Sequence, residues 1–211
     1  MIYLYTGTPG SGKSYHVAKD IYFWLCRGRH IIANFDINYD MVPTSSRKPK
    51  GYFFSKDNFD LSSDWLKDFS FYCHKRDKSG RILEHQTWII IDECQLIFNC
   101  RSWNDRERQK WCSFFTQHRK YGFDIILVTQ FDRLVDRQIR SLVEYEVKHR
   151  KVNNFGTGGF FLTLLSFGHP VFAAIEYWYG VKEKSGMTMM IGRKKYYAMY
   201  DSYKLFDAVN G

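Results

Sequence analysis

The sequence of 211 residues has few of the features that would place it outside a cell or in a membrane. Its five cysteines are scattered without a Cys-x-x-Cys pair, so we expect neither a disulfide framework nor a zinc site. A reducing cytosol is the simplest compartment for such a chain. The first apolar run, residues 2–5, is too short for a signal peptide and lacks a basic lead-in.

One uncharged stretch, residues 158–175, requires a separate argument. It contains His169, Pro170, two internal glycines and several polar residues. A membrane-spanning helix needs about 20 mostly apolar residues, which this stretch does not offer. We therefore expect two strands around a turn at residues 168–170, and a chain that is soluble as given.

Acidic residues are the scarcer charged class, with 22 Asp and Glu against 31 Lys and Arg, for a formal net charge of +9. A basic chain suits polyanions, whether nucleotides, nucleic acid or an anionic membrane surface, and the charge does not choose among them. Apolar residues make up 45% and charged residues 25% of the sequence. These values are close to globular averages and exclude a disordered or low-complexity chain.

Strand and helix patterns alternate along the first 150 residues. Apolar runs or alternation predict strands at residues 2–6, 30–35, 87–91, 124–128 and 144–152. Helical periodicity predicts helices at residues 14–27, 64–73, 102–121 and 132–142. Gly28 and Gly122 are placed to end two of these helices, and Ser102 with Asp105 resembles a capping box. This alternation is typical of an α/β fold, with a mainly parallel sheet flanked by helices.

Two regions depart from the alternation. Residues 36–55 are rich in Pro, Ser and basic side chains, and we expect an irregular loop there. Residues 160–200 look β-rich and aromatic, and the run Gly192-Arg-Lys-Lys-Tyr-Tyr is the densest basic segment. It could bind single-stranded nucleic acid, face anionic lipid, or be a solvated strand face. We expect a core at residues 1–150, with residues 151–211 as a β-rich basic and aromatic extension packed on it.

The segment Gly7-Thr-Pro-Gly-Ser-Gly-Lys13-Ser14 matches the phosphate-binding loop G-x-x-x-x-G-K-[ST] at every specified position. A predicted strand precedes it and a predicted helix follows it, so backbone N–H groups would face a polyphosphate at a helix N-terminus. Lys13 would contact the β- and γ-phosphates, and Ser14 would place its hydroxyl on Mg²⁺. The expected nucleotide contacts come from Gly7, Thr8, Pro9, Gly10, Ser11, Gly12, Lys13, Ser14 and Tyr15.

Asp92 and Glu93 follow the apolar run at residues 88–91. Open α/β sheets bind ligands at the carboxyl ends of their strands, so a carboxylate there is well placed for a metal. We expect Asp92 to hold Mg²⁺, directly or through water, as Walker-B aspartates do. Glu93 would orient and deprotonate the water that attacks the γ-phosphate of ATP. The alternative is a solvated acidic turn.

Gln130 ends the next strand pattern and could contact the γ-phosphate, although strands often end in polar residues. Together with the Asp-Glu pair and the strand predicted at residues 30–35, which lies between the loop and that pair in sequence, Gln130 suggests the RecA-like division of P-loop NTPases. That division has an added central strand.

Arg101, Arg119 and Arg140 are candidates for an arginine finger donated by a neighbouring subunit, and Arg119 is chosen as the catalytic candidate. The alternative for each is a solvated or helix-capping arginine. His118 lies on an apolar helix stripe and is interpreted as a core histidine.

The combined motifs resemble the Zot family, the zonula-occludens-toxin-like, gene-I-type assembly proteins of filamentous phages. The similarity covers residues 3 to 205 and rests on TGTPGSGKS, IIIDECQ, LVTQ, His118-Arg119-x-x-Gly122-x-Asp124, Gln138-Ile-Arg140 and Met199-Tyr-Asp201-Ser-Tyr203. The resemblance implies a motor that binds and hydrolyses ATP at the cytoplasmic face of the host inner membrane and drives virion assembly and export. Its partners would be phage coat proteins and coated single-stranded DNA.

One departure from the family pattern concerns the membrane. Family members usually continue into a transmembrane helix and a small external domain, whereas this sequence stops at Gly211. The resemblance therefore implies membrane attachment through a segment absent from this chain, which was either removed or is lacking in this relative. We also expect a homo-oligomer.

Two other functions are compatible with the same motifs. A small nucleotide or metabolite kinase also often carries its phosphate loop near the N-terminus, but it needs an acceptor site and a lid. The sequence offers Glu93 and no arginine-rich lid, which favours hydrolysis. A nucleotide-dependent binding switch would bind ATP tightly and turn it over very slowly.

Overall fold

An eight-stranded sheet organises the protein, and the computed structural model describes residues 1–44, 49–99, 105–152, 166 and 169–200. The strands are β1 (Ile2–Thr6), β2 (His30–Ala33), β3 (Phe53–Ser55), β4 (Thr87–Ile91), β5 (Phe123–Val128), β6 (Tyr145–Lys151), β7 (Val171–Trp178) and β8 (Glu183–Ile191). Their order in the sheet is β3-β2-β4-β5-β1-β6-β7-β8. Strands β1 to β6 are mutually parallel, while β7 and β8 are antiparallel to their neighbours.

This order confirms the predicted fold class, a RecA-like P-loop NTPase fold. Strand β5 lies between β1 and β4, which is the added central strand that the sequence predicted. All six residues of β5 are buried, as expected for a parallel strand covered on both faces. The antiparallel pair β7–β8 extends the sheet beyond β6 and forms the β part of the predicted C-terminal extension.

Helices cover both faces of the sheet. They are α1 (Lys13–Cys26), α2 (Ser63–Cys73), α3 (Asp105–Gln117), α4 (Arg137–Ser141) and α5 (Lys194–Met199). One apolar core lies between the sheet and α1 with α5, around Ile21, Leu25 and Tyr196. The other lies beneath α2, α3 and α4 on the opposite face, around Leu66 and Phe114. None of the helices within the described ranges is long and apolar enough to cross a membrane.

Three predictions about elements are wrong, each for a local reason. The end of the predicted loop at residues 36–55 forms β3, a strand too short for a sequence pattern to reveal. The single helix predicted at residues 132–142 is divided, because Asp136 accepts a hydrogen bond from the backbone N–H of Gln138 and starts α4 anew. The basic run after Gly192 forms α5 and not a strand.

Other predictions fall outside the described residues. These include the cap at Ser102 and the first of the two strands predicted between residues 158 and 175. The second of those strands is described and is β7.

His118 is confirmed as a core histidine, with only 5% of its surface exposed and its Nδ1 bonded to the Phe115 carbonyl.

Candidate nucleotide-binding site

The segment that joins β1 to α1 forms a tight loop at the carboxyl edge of the sheet. Gly7, Gly10 and Gly12 have φ angles of +146°, +73° and +97°, in the region that favours glycine. A Cβ atom on Gly7 would lie 2.6 Å from the backbone oxygen of His149, and one on Gly12 would lie 2.6 Å from the ring of Phe172. Both glycines are therefore required by conformation and by space.

The ammonium of Lys13 lies inside this loop. Its Nζ donates to the carbonyl oxygens of Gly7 and Thr8, at 2.7 and 3.4 Å. Burial lowers the pKa of Lys13, and the charges of Asp92 and Glu93 oppose that shift. The lysine thus lies at the N-terminus of α1, where backbone N–H groups and the helix dipole also favour an anion such as phosphate.

Asp92 and Glu93 follow β4 at the same edge of the sheet. The side-chain amide of Asn34 fixes the backbone of Asp92, donating to its carbonyl at 2.8 Å and accepting from its N–H at 2.7 Å. Glu93 has φ +44° and ψ +46°, a left-handed conformation that is uncommon outside glycine and recurs at functional sites. The side chain of Gln95 donates to the Glu93 carboxylate.

The Asp92 carboxylate is held by two donors. Its Oδ1 accepts from the backbone N–H of Glu93 at 2.8 Å, and its Oδ2 accepts from the hydroxyl of Tyr200 at 2.5 Å. Burial raises the pKa of Asp92, and both hydrogen bonds oppose the shift. Sequence reasoning gave no role to Asn34 or Tyr200, although Tyr200 lies in the Met199-Tyr-Asp201-Ser-Tyr203 segment, because their approach to Asp92 depends on tertiary structure.

Gln130 follows β5, and its backbone oxygen accepts from the N–H of Gly7 at 3.3 Å. A cavity of about 650 Å³ lies beside it, lined by the start of the loop, by Phe131 and Asp132, and by the end of β6 with Lys148 and Arg150. A second cavity of about 420 Å³ lies on the other side of the loop. It is lined by residues 10–15, Phe172, Tyr196, Tyr197 and Tyr200.

A buried polar chain lies beneath the loop. Nδ1 of His149 contacts the carbonyl of Thr6 at 3.2 Å, and its Nε2 contacts Nδ1 of His16 at 2.8 Å. Nε2 of His16 lies 3.4 Å from Asp20, whose carboxyl also accepts from the hydroxyl of Tyr5 at 3.1 Å. Burial lowers the pKa of His16 to about 4 and that of His149 to about 3, and raises the pKa of Asp20 to about 7. The two imidazoles are therefore neutral near pH 7.

The arginine candidates occupy different places. Arg119 lies at the opposite, amino edge of the sheet, where it pairs with Glu144 before β6. It is therefore not part of the phosphate site of its own chain. Arg140 lies 3.6 Å from Asp132, which lines the larger cavity. Arg101 falls outside the described residues.

The residues of this edge fit a magnesium ion shared with phosphates. The Ser14 hydroxyl and the Asp92 carboxylate are oxygen donors, which Mg²⁺ prefers, and it usually takes its remaining ligands from water and phosphate. Across the described ranges, no group of three or more His, Cys, Asp or Glu side chains could hold a metal. Within the loop, the buried hydroxyl of Ser11 has no hydrogen-bond partner among the described residues, which suits a site that receives a ligand.

Comparison with known proteins gives one family and several structural neighbours. The sequence model described as "Zonular occludens toxin (Zot)" matches residues 1–205. The gene 1 protein of Enterobacteria phage fd is 32% identical over 155 residues, which is 72% of this chain and 42% of that protein. The gene 1 protein of Enterobacteria phage I2-2 is 25% identical over 213 residues, covering 97% of this chain and 57% of that protein. The chain thus spans about half the length of these relatives, or less.

Two solved structures share the fold at low identity. The N-terminal domain of zonular occludens toxin from Neisseria meningitidis has a TM-score of 0.51 at 18% identity, covering 95% of this chain and 98% of that domain. B204, the DNA-packaging ATPase of Sulfolobus turreted icosahedral virus, has a TM-score of 0.52 at 15% identity, covering 91% and 96%. Both similarities support the P-loop NTPase fold.

Proposed function

The chain belongs to the zonular occludens toxin (Zot) family, and on that basis we propose that it is an ATP-hydrolysing assembly protein of a filamentous phage. The observation that carries the proposal is the convergence of four groups at one sheet edge. Lys13 lies in the loop, Asp92 and Glu93 follow β4, and Gln130 follows β5 next to Gly7. This arrangement suits the positioning and charge stabilisation that phosphoryl transfer to water requires.

In this proposal the loop residues 7–15 bind the polyphosphate through backbone N–H groups, and Lys13 contacts the β- and γ-phosphates. Glu93 accepts the proton of the attacking water, and Gln130 contacts the γ-phosphate. Ser14 and Asp92 would hold Mg²⁺, which neutralises charge on the phosphate oxygens when it is bound with the nucleotide. As the water oxygen bonds to the γ-phosphorus, the bond from that phosphorus to the bridging oxygen of ADP breaks, and ADP and inorganic phosphate leave the loop.

The cellular role follows from family membership and is part of the proposal. The protein would form a homo-oligomer and couple ATP hydrolysis to the exchange and export of coated single-stranded phage DNA, with coat proteins as partners. It would act at the cytoplasmic face of the host inner membrane. In such an oligomer, Arg119 would act on the nucleotide of a neighbouring subunit.

Nucleotide binding is tested with Lys13→Ala, which removes the cation of the loop. We expect calorimetric ATP binding to be strongly weakened and turnover to fall by about 10²-fold or more, because a preorganised charge is lost. Lys67→Ala is the matched control, since Lys67 pairs with Asp64 on α2, on the other face of the sheet. ATP binding by Lys13→Ala equal to that of the wild type would overturn the proposed site.

The same assay separates the alternatives. Release of phosphate from ATP without any acceptor supports the ATPase. Consumption of ATP that begins only when an acceptor nucleotide is added favours the kinase, and tight ATP binding with negligible turnover favours the switch.

A further inference from the structure

The side chain of Asp92, the proposed magnesium ligand, is oriented by a residue 108 positions later in the sequence. The hydroxyl of Tyr200 donates to Oδ2 of Asp92, and the N–H of Glu93 donates to Oδ1. The Tyr200 hydroxyl is the donor of its bond, because an ionised carboxylate can only accept hydrogen bonds. Both oxygens of Asp92 are thus held by hydrogen bonds from the protein itself.

Packing holds Tyr200 in place independently of this hydrogen bond. Only 6% of the residue is exposed, and its ring lies 4.4 Å from that of Phe35, which follows β2. The preceding residue, Met199, is buried and its carbonyl accepts from the N–H of Asn38 at 2.9 Å. Since these contacts fix the ring, the hydroxyl is presented to Asp92 by the fold.

Helix α5 is itself anchored beside the phosphate loop. Tyr196 packs edge-on against Tyr15 of α1, with ring centres 5.8 Å apart. The Tyr15 hydroxyl donates to the carbonyl of Ile191 and accepts from the N–H of Arg193, at 2.7 and 3.2 Å. The C-terminal extension is therefore connected both to the end of the phosphate loop and to Asp92.

We propose that Tyr200 is a positioning residue for Asp92, so that the extension completes the nucleotide site of the core; this rests on the proposed function. A carboxylate offers about four lone-pair sites, so the bonds from Tyr200 and Glu93 leave Asp92 able to coordinate a metal ion or to accept a hydrogen bond from a water of that ion. Hydrogen-bond partners of ligating carboxylates orient them, and their loss typically costs about 10–100-fold in metal affinity or activity.

Tyr200→Phe tests this role, because it removes the hydroxyl and keeps the ring that packs on Phe35. Binding of a non-hydrolysable ATP analogue is measured by calorimetry in EDTA and again in saturating Mg²⁺. We expect the Kd of the variant for the analogue in EDTA to equal that of the wild type. The gain in affinity when Mg²⁺ is added should be about tenfold smaller than in the wild type. Tyr39→Phe is the matched control, since it also loses a hydroxyl hydrogen bond, to the carbonyl of Gly51, and should keep the full gain.

The outcomes separate this inference from the proposed function. A wild type that binds the analogue in neither buffer overturns both. If the affinity of the wild type rises with Mg²⁺ and Tyr200→Phe shows the same rise in full, only the role of Tyr200 is overturned.

Should Tyr200→Phe fail to fold, 3-fluorotyrosine at position 200 gives a second measurement in the full chain. Its ¹⁹F signal should shift when Mg²⁺ is added to the analogue complex, with fluorotyrosine at position 39 as control, and an unshifted signal overturns the role.

Discussion

The two edges of the parallel sheet use the same kinds of side chain in different ways. At the amino edge, Asp124 accepts from His85 at 2.8 Å and from the amine of Met1 at 2.7 Å, and Glu144 binds Arg119. At the carboxyl edge, the ammonium of Lys13 donates to the carbonyl oxygens of Gly7 and Thr8, and the buried hydroxyl of Ser11 has no hydrogen-bond partner within the described part of the chain.

The difference shows which edge stabilises the fold and which is arranged for a ligand. Charges at the amino edge neutralise one another, so removing one leaves a partner unpaired and lowers stability. At the carboxyl edge, the buried Ser11 hydroxyl has no partner among the described residues, and Glu93 is held in a left-handed conformation. Mutations at the two edges should therefore have separable effects on turnover and on stability.

The largest expected effect is at the carboxyl edge, for Glu93→Gln. The amide is nearly isosteric but cannot accept the proton of water, so turnover should fall by about 10²–10⁴-fold while ATP binding is kept. Phosphate release and calorimetric ATP affinity are measured together, with Glu107→Gln on α3 as the matched control. Turnover by Glu93→Gln at the wild-type rate would place the general base elsewhere.

An intermediate effect is expected at the amino edge, for Asp124→Asn. Loss of the charge weakens the bonds to His85 and Met1, and we expect about 1.5–3 kcal/mol less stability in urea denaturation. Turnover per folded molecule should be unchanged, because Asp124 is remote from the loop. Asp68→Asn, at an exposed position of α2, should change stability by less than about 0.5 kcal/mol. An Asp124→Asn variant of normal stability but reduced turnover would contradict the comparison.

The smallest expected effect on a single chain is that of Arg119→Ala. Its pair with Glu144 is half-exposed, so we expect a loss of at most about 1 kcal/mol and no change in turnover of the unassembled protein. In the assembled protein, turnover should fall and partly recover when Lys13→Ala subunits, whose Arg119 is intact, are mixed in. A mixed assembly without recovery would remove Arg119 from the site and direct the test to Arg140.

Local motifs explain why much of this site could be predicted from the sequence. The loop and the Asp92-Glu93 pair are contiguous, and their context of strand and helix is readable from periodicity. Tyr200 could not be found in this way, because its contact depends on how β7, β8 and α5 fold back over α1. The residues of α5 are rich in tyrosine, which favours strands, and packing of Tyr196 on α1 overrides that preference.

The buried chain beneath the loop has a single polarity. The Thr6 carbonyl can only accept, so Nδ1 of His149 carries the proton, its Nε2 accepts from Nδ1 of His16, and Nε2 of His16 faces the Asp20 carboxyl, whose pKa burial raises to about 7. Both N–H groups of this series point toward the carbonyl of Thr6, the last residue of β1. The aligned N–H dipoles therefore direct their positive ends toward the carboxyl end of β1, where the phosphate loop begins, without placing a charged imidazole in the core.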